Sequence, residues 1–309
     1  MTNPDELASM DRVTDLQPPL AGSRPHAAEA ARRAADGAGV HIREVADLDG
    51  LDAVYRLFDR IWRPDPANPP VTTELMRALT KAGNYVGGAY AGAELVGACV
   101  GFFGTPADEV LHSHIAGVAP AMAGRSVGLA LKLHQRAWAL QRGISVIEWT
   151  FDPLVARNAW FNLVKLGATA VEYLPNFYGG MRDGINGDDE TDRLLVHWRL
   201  DTPAVAAACA GTLRPCDARA ELAGGAVVAL GRSGPATPVP GSSRGRRLLV
   251  AVPNDVEKLR AADPGRAKEW RVAVREALVA PLAEGARITG FDKSGWYLVT
   301  RDTVREDGR

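Results

Sequence analysis

The sequence has few cysteines: only Cys99, Cys209 and Cys216 occur among its 309 residues. They form no CxxC pair, which excludes the commonest zinc-binding pattern, and they are too sparse for the disulfide framework of a small secreted domain. Cys99 lies in an apolar segment and is expected in the core. Cys209 and Cys216 are close enough in sequence to pair across a short loop, but free thiols are expected.

An excess of charge of either sign is also missing. The 36 basic and 37 acidic residues leave a net charge of -1, so the chain offers no basic surplus for nucleic acid or an anionic membrane surface. No apolar run reaches the roughly 18 residues of a membrane span. The N-terminus MTNPDELASMDR lacks the charged-then-apolar pattern of a signal peptide. We therefore expect a cytoplasmic protein that binds neither nucleic acid nor a membrane.

What remains is ordinary globular composition, with 46% hydrophobic and 24% charged residues, enough for one large domain and a smaller lobe. Residues 1–39 are rich in Ala, Pro, Asp and Arg and are predicted to be a mobile tail that includes a helical piece. Residues 40–200 form the predicted main domain. Residues 201–309 form a C-terminal α/β lobe, with a linker at 231–246 predicted from its Gly, Ser and Pro content.

The first half of the main domain reads strand, helix, helix, strand, strand. Residues 41–47 alternate as a strand, and 48–62 carry apolar residues at helical spacing. A Pro-rich break leads into a short helix within 72–83. Two strands then flank the turn at 91–93 and predict a hairpin.

The middle of the chain reads strand, Gly-bearing turn, helix, strand, helix. Its segments are 109–120, 121–128, 129–143, 144–151 and 152–168. A Gly-bearing turn that enters a helix leaves several backbone N–H groups unpaired at the positive end of the helix dipole. Such a turn predicts a phosphate site.

Two further strands, 168–174 and 193–200, enclose a loop rich in Gly and Asp. The C-terminal lobe repeats a strand-helix-strand sketch and ends in a hairpin, but it has no second Gly-bearing turn. We expect it to serve packing, dimerisation or covering of the functional pocket. The alternative is an extension that only buries apolar surface.

This order of elements, βααββ followed by βαβαββ, resembles the GCN5-related N-acetyltransferase (GNAT) superfamily over roughly the middle half of the chain. The runs WTFDP, NAWFN, KLGA, NFYG and DRLLVHW are similar to a bacterial branch of it. The resemblance implies an α+β fold with a mixed sheet, the GNAT acyl-CoA N-acyltransferase fold. It also implies acetyl-CoA or another acyl-CoA as co-substrate, and a homodimer paired through terminal strands.

The superfamily's pyrophosphate turn, V-x-P-x-x-R-G-x-G-x-G, aligns here without gaps from Val118 to Gly128. Its arginine becomes Ala123 and one of its glycines becomes Ser126. A shifted register matches R-x-x-G-x-A at Arg125, Gly128 and Ala130 instead, but it breaks the upstream fit. The residues that the resemblance assigns to the cofactor are Gly117 and Val118 through backbone N–H groups, Ala123, Gly124, Arg125, Ser126, Val127, Gly128, and Asn158 on the pantetheine arm. Asn158 has an alternative role as a helix-start cap.

An amine acetyltransferase needs a base for the ammonium proton. His112 and His114 stand at i and i+2 on one strand and share a face, and the resemblance makes this pair the first choice. The alternatives are a structural hydrogen bond, or a metal completed by Asp108, Glu109 or His197, although no metal is expected. Glu148 is the second candidate base, with a structural ion pair as its alternative.

The superfamily's tyrosine acid is replaced by Leu163. The acid is therefore Tyr178, or Tyr173, or no residue at all. Arg182 and Arg193 are candidates for binding the carboxylate of an amino-acid-like acceptor, although any surface loop rich in Gly and Asp looks similar.

The sequence thus predicts an acyl-CoA-dependent N-acyltransferase, acetyl by default, that acts on a small amine or amino-acid-like acceptor in a ternary complex. Two alternatives stay open. The substitutions at Ala123, Ser126 and Leu163 favour a catalytically degenerate acyl-CoA sensor or partner-binding scaffold. Acetylation of a protein substrate would require the C-terminal lobe to leave an open groove.

Overall fold

A computed structural model describes residues 23–65, 69–105, 109–179, 189–234 and 237–301. Within these ranges the α-helices are α1 Ser23–Ala38, α2 Leu48–Trp62, α3 Thr73–Lys81, α4 Val127–Gln141, α5 Ala156–Ala159, α6 Pro203–Cys209, α7 Ala218–Ala223, α8 Val256–Ala262 and α9 Pro264–Ala283. The strands are β1 His41–Glu44, β2 Tyr85–Ala91, β3 Glu94–Phe103, β4 Val110–Val118, β5 Val146–Phe151, β6 Thr169–Leu174, β7 Arg193–Arg199, β8 Val227–Ser233, β9 Thr237–Pro240, β10 Arg247–Ala251, β11 Arg287–Asp292 and β12 Trp296–Thr300.

The main sheet is mixed and has the order β1-β2-β3-β4-β5-β7-β6. Its one parallel pair is β4 with β5, and only Val110–His112 pair with Val146–Glu148. Both strands continue beyond this short ladder, β4 to Val118 and β5 to Phe151. They therefore diverge, and we call the gap between them the fork.

Helices cover the sheet on both faces. α4 and α1 pack on one face, which we call the α4 face, and α2 and α3 pack on the other, the α2 face. α2 begins where the Asp47 side chain accepts a hydrogen bond from the Gly50 N–H. It buries Leu51, Val54, Leu57 and Phe58, the apolar positions that the spacing predicted.

The helical piece predicted in the N-terminal tail is confirmed as α1, but residues 23–38 pack on the main domain and are not a mobile tail. The helix packs along α4, with Ala27 and Ala31 buried in the contact. Alanine side chains let two helices approach closely, so a segment without large apolar residues still contributes to the core. Residues 1–22 lie outside the described part of the chain.

The helix predicted over 152–168 is shorter and irregular. α5 covers only Ala156–Ala159, and a π-helical turn follows at Trp160–Lys165. The wider turn is visible where the Leu166 N–H donates to the Phe161 carbonyl, five residues back. Gly167 ends the turn with φ +68°, as the sequence indicated.

The C-terminal lobe contains a second sheet of order β11-β12-β10-β8-β9. The linker predicted at 231–246 is wrong in part, because Thr237–Pro240 pair with β8 as an edge strand, where prolines are tolerated. The predicted terminal hairpin is confirmed as β11 and β12. The short α7 was not predicted. None of the helices in the described residues is both long and apolar enough to cross a membrane.

Buried ion pairs join the lobe to the main domain. Arg271 on α9 donates to Asp152, which follows β5, and to Asp189, which precedes β7. Arg260 on α8 bonds the same two carboxylates. Arg275, one turn after Arg271, pairs with Asp192. The lobe is therefore anchored to segments at the end of β5 and before β7.

Candidate active site

The fork is irregular on its β4 side. Ser113 pairs with Gly101 and Ile115 with Val100, so His114 has no partner in the β3 register and forms a bulge. The bulge turns the strand away from β5 just after the last paired row. His112 and Glu148 occupy that last row and lie at the base of the fork, on the α2 face.

Three ionisable side chains lie in one row across neighbouring strands. The Glu148 carboxylate stands between two imidazoles, with Oε1 3.4 Å from His112 Nδ1 and Oε2 3.4 Å from His197 Nε2. The Glu148 side chain is 28% exposed. β5 buries only Ile147, Trp149 and Phe151, on the α4 face.

The arrangement suits His112 for accepting a proton. Burial lowers the pKa of His112, and the hydrogen bond and charge of Glu148 oppose this only in part. The imidazole is therefore neutral at pH 7. Because its Nδ1 faces a carboxylate, we assign the N–H to Nδ1, which leaves the lone pair on Nε2.

His114 shares the α2 face with His112, as the i, i+2 spacing predicted, and their ring centroids are 6.3 Å apart. Its Nε2 lies 3.2 Å from the Pro70 carbonyl oxygen. Since a carbonyl only accepts, this nitrogen carries the proton. His114 thus supports the segment that leads into α3.

The metal alternative finds no support in the described residues. No group of three or more His, Cys, Asp or Glu side chains in them is arranged to hold an ion. Asp108 lies outside the described residues. His197, considered in the sequence only as a metal ligand, instead contacts Glu148.

The turn before α4 contains two residues with left-handed backbone. Gly124 has φ +79° and Ser126 φ +62°, both in the left-handed region, and both align with glycines of the motif. Ser126 costs roughly 1–2 kcal/mol there that glycine would not. In the shifted register neither of these two residues aligns with a glycine of the motif.

The first turn of α4 is open to an anion. Ser126 makes no capping hydrogen bond with its side chain, and the first turn carries no acidic residue. Ala123, Gly124, Arg125 and Ser126 are exposed. The Arg125 guanidinium contacts Met122 Sδ at 3.6 Å and lies next to this turn, where Ala123 cannot donate.

Of the two backbone N–H groups assigned to the cofactor, only that of Val118 points to the fork. The Ala119 N–H donates to the Val96 carbonyl on β3. Successive N–H groups of a strand point to opposite edges, so Gly117 also points to β3, whereas Val118 points to the open edge. The assignment of the Gly117 N–H is therefore corrected.

Gly117 has a different role, because a Cβ there would lie 2.5 Å from Trp62 Cη2. The indole of Trp62 lies on the α2 face of the fork and forms a wall that the sequence analysis did not identify. A glycine inside a strand is a signal for such close approach.

Asn158 and Leu163 lie in α5 and in the π-helical turn, the segment that follows β5. Asn158 is half-buried in α5 and does not cap that helix, whose N-cap is Val155. Asp152 does not cap it either, since its Oδ1 accepts from the Leu154 N–H. Leu163, in place of the tyrosine, is buried in the π-helical turn.

The two candidate acids differ. Tyr178 is 45% exposed, and its hydroxyl lies 3.2 Å from Thr150 Oγ1, two residues along β5 from Glu148. Tyr173 is buried and donates to Asp192 Oδ2 at 2.6 Å. Burial, followed by Asp192, raises the pKa of Tyr173. Tyr173 is therefore withdrawn as the acid.

The predicted carboxylate-binding arginines are not both available. Arg182 lies outside the described residues. Arg193 is buried, donates to the Asp192 carbonyl and stands 5.2 Å from the ring centroid of Tyr178. In this position Arg193 packs against the Tyr178 ring, which argues against a direct role for Arg193 in acceptor binding.

The chain was compared with known proteins. Residues 23–155 match the family model described as an acetyltransferase (GNAT) domain. Solved structures align over about half of the chain. One is a GNAT-family acetyltransferase of Desulfovibrio desulfuricans (15% identity, 52% of this chain, 99% of that one, TM-score 0.43).

A second is the ribosomal-protein-S18-alanine N-acetyltransferase of Escherichia coli (13% identity, 53% of this chain, 95% of that one, TM-score 0.41). A third is a putative acetyltransferase of Salmonella typhimurium solved with acetyl-CoA (18% identity, 53% of this chain, 95% of that one, TM-score 0.43). Among curated proteins, none matches the chain.

The matched domain begins with α1 and ends just after β5, so it contains the fork and the whole Gly-bearing turn. Residues 23–155 are therefore similar to a GNAT acetyltransferase domain, and a C-terminal α/β lobe follows the matched region.

Proposed function

We propose that the protein acylates a small amine directly, with donor and acceptor bound together at the fork. The observation that carries the proposal is the row of His112, Glu148 and His197, which stands at the base of the fork on the α2 face. When bound, acyl-CoA supplies an activated acyl thioester. Residues of the chain bind the donor, bind the acceptor and accept the proton.

Binding of the donor is assigned to the α4 side of the fork. The first turn of α4 would hold the pyrophosphate through backbone N–H groups, helped by the helix dipole, and Arg125 would add positive charge. The Val118 N–H, close to Gly128 at the start of α4, would hold the pantetheine arm. The amide of Asn158 would contact the pantetheine arm.

Proton removal is assigned to His112. Its Nε2 accepts a proton from the acceptor amine while Glu148 holds Nδ1 and stabilises the imidazolium that forms. His197 holds the other carboxylate oxygen at 3.4 Å and so keeps Glu148 directed at His112. Glu148 thus acts as the orienting group.

The acceptor is assigned to the α2 face, between Trp62 and Tyr178. Both rings offer apolar walls with polar edges, and Tyr178 is the acid candidate nearest to β5. A small amine suits this placement. An amino-acid-like acceptor would depend on Arg182.

Acetyl remains the default acyl group, with succinyl and longer acyl groups as alternatives. The homodimer and the cytoplasmic location stay predictions.

A second candidate function is an acyl-CoA sensor or partner-binding scaffold. It is favoured by the absence of the usual side chains at Ala123, Ser126 and Leu163. The two functions differ in whether acyl transfer follows binding.

The experiment is calorimetric titration with acetyl-CoA, succinyl-CoA and free CoA, followed by thiol release in the presence of an amine library. Micromolar binding and amine-dependent release support the transferase. Binding without release to any amine favours the sensor. No binding of any of the three overturns both.

A further inference from the structure

Lys132 on α4 is a buried cation that has no carboxylate partner among the described residues. It is 5% exposed, and its Nζ donates to Ser113 Oγ and Gln135 Oε1, each at 2.9 Å. The ammonium also lies 3.8 Å from the ring centroid of Trp149. Among the described residues no carboxylate forms an ion pair with it, and Cys99 is the only titratable group that favours its charge.

The cluster around Lys132 is costly for stability. Burial lowers the pKa of Lys132 to about 8, and Gln135 Nε2 is buried with no hydrogen-bond partner in the described part of the chain. A buried charge held only by neutral oxygens and an aromatic face is disfavoured relative to an apolar side chain of similar length. Packing alone therefore does not account for a lysine at this position.

The position of the cluster relates it to the fork. Ser113 and Trp149 are the first residues beyond the last paired row, His112 and Glu148. The ammonium thus lies directly behind the base of the fork on the α4 face, opposite the proton acceptor. Its charge acts through the sheet, since Lys132 contributes to the lowered pKa of His112.

The α4 face also connects Lys132 to the region of Leu163, the position where the superfamily has a tyrosine. Trp149 Nε1 donates to Asn162 Oδ1 at 3.2 Å, and Asn162 precedes Leu163. Lys132, Trp149 and Asn162 therefore form a continuous row from α4 to the π-helical turn. Lys132 is the cation in that row.

We propose that Lys132 is the counter-charge for the coenzyme sulfur and stabilises the departing thiolate, which Leu163 cannot do. The proposal rests on the proposed function. In the transfer the acyl carbon–sulfur bond breaks and the sulfur keeps the electron pair. The neutral acceptor nitrogen bonds to the acyl carbon and gives a proton to His112. Lys132 keeps its own protons and balances the sulfur's charge.

The test compares CoA with desulfo-CoA, which lacks the sulfur, by calorimetry. A second readout is the ultraviolet absorbance of the thiolate of bound CoA, followed against pH.

The variants are Lys132→Met and Lys132→Gln, the second of which retains hydrogen-bonding capacity without the charge. Gln135→Met is the control, because it alters the same cluster and keeps the ammonium. The titratable groups that face Lys132 are Cys99 on β3 and, through the sheet, His112 on β4.

We expect the unmodified protein to prefer CoA by roughly tenfold and to lower the bound thiol pKa by about one unit relative to free CoA. Both Lys132 variants should lose these effects and keep their affinity for desulfo-CoA, with an unchanged or higher Tm. Gln135→Met should retain them.

Equal thiol pKa values in the unmodified protein and both Lys132 variants would overturn the inference and leave the coenzyme site intact. If the unmodified protein bound neither CoA nor desulfo-CoA, the proposed function itself would fail, which makes the two failures distinguishable.

Discussion

Individual residues near the fork divide the chemistry between the two faces of one sheet. His112 is neutral because it is partly buried, and Glu148 directs it because their strands pair at that row. On the other face Lys132 carries a charge without a carboxylate partner among the described residues. The sheet therefore separates the proton-accepting imidazole of His112 from the ammonium of Lys132.

Replacing both His112 and His114 by alanine is expected to lower kcat by roughly 10²- to 10⁴-fold, the usual contribution of a general base. CoA affinity should stay nearly unchanged, because neither side chain lies at the first turn of α4. Steady-state kinetics and calorimetry test this. His26→Ala, an exposed histidine on α1, is the control, and an unchanged kcat in the double variant would remove the pair from the mechanism.

The pH dependence follows from the sign of the His112 shift. Its pKa is lowered from the ordinary value of 6.5 by burial, so the form that accepts a proton persists below that value. The acidic limb of kcat/KM should therefore have its midpoint below pH 6.5 and should shift when Glu148 is changed to Gln. A midpoint above 6.5, or one insensitive to Glu148→Gln, would contradict the assignment.

At the scale of elements, the fork depends on a short ladder between β4 and β5 and on a bulge at His114. The Gly-bearing turn then directs the start of α4 towards the open edge of β4, where the Val118 side chain lies near Gly128. Donor-binding groups thus come from the end of one strand and the start of the next helix.

Changing Gly128 to Glu is expected to weaken CoA binding at least tenfold, because the new carboxylate would meet the pyrophosphate with like charge. The Cβ itself fits, since its nearest neighbour is Val118 Cγ2 at 3.8 Å. Gln141→Glu adds the same charge at the exposed far end of α4 and should leave affinity unchanged. Equal affinities of the two folded variants would mean that the turn is not the phosphate site.

At the scale of the whole molecule, the C-terminal lobe holds the segments that carry the site. Asp192 receives Arg275 from α9 and also accepts the Asn176 N–H and the Tyr173 hydroxyl. The Tyr178 N–H bonds the neighbouring Thr191 Oγ1. The lobe is thereby coupled to the loop that presents Tyr178, which favours a positioning role over simple burial of apolar surface.

Arg271→Met should destabilise the protein by about 3–5 kcal/mol, because it leaves Asp152 and Asp189 buried with one fewer partner. Urea denaturation measures this. Arg157→Met, which breaks an exposed pair with Glu257, is the matched control and should cost no more than about 1 kcal/mol.

The same network predicts acid sensitivity. Burial alone would raise the pKa of Asp152, but the hydrogen bonds and charges of Arg271 and Arg260 outweigh it and hold the pKa at about 2. Stability from Asp152 is thus complete above about pH 4 and is lost as the pH falls towards 2. The Arg271→Met variant should lose part of this pH dependence.

By itself the sequence determined the order of the elements, the positions of α2, the β2–β3 hairpin and the terminal hairpin, and the location of the turn before α4. Those features depend on local periodicity and turn chemistry, which neighbouring residues carry. The left-handed backbone at Ser126 was not predicted and is known only from the structure.

Only the tertiary structure decided which side chains meet. Glu148 and His197 are 49 positions apart and come together because β5 pairs with β7, and Trp62 meets Gly117 because α2 crosses β4. α1 appeared tail-like because its alanines bury little surface individually and gain stability only against α4. Such long-range packing leaves no periodic signal in the chain, so the sequence could name candidate residues but not assemble them.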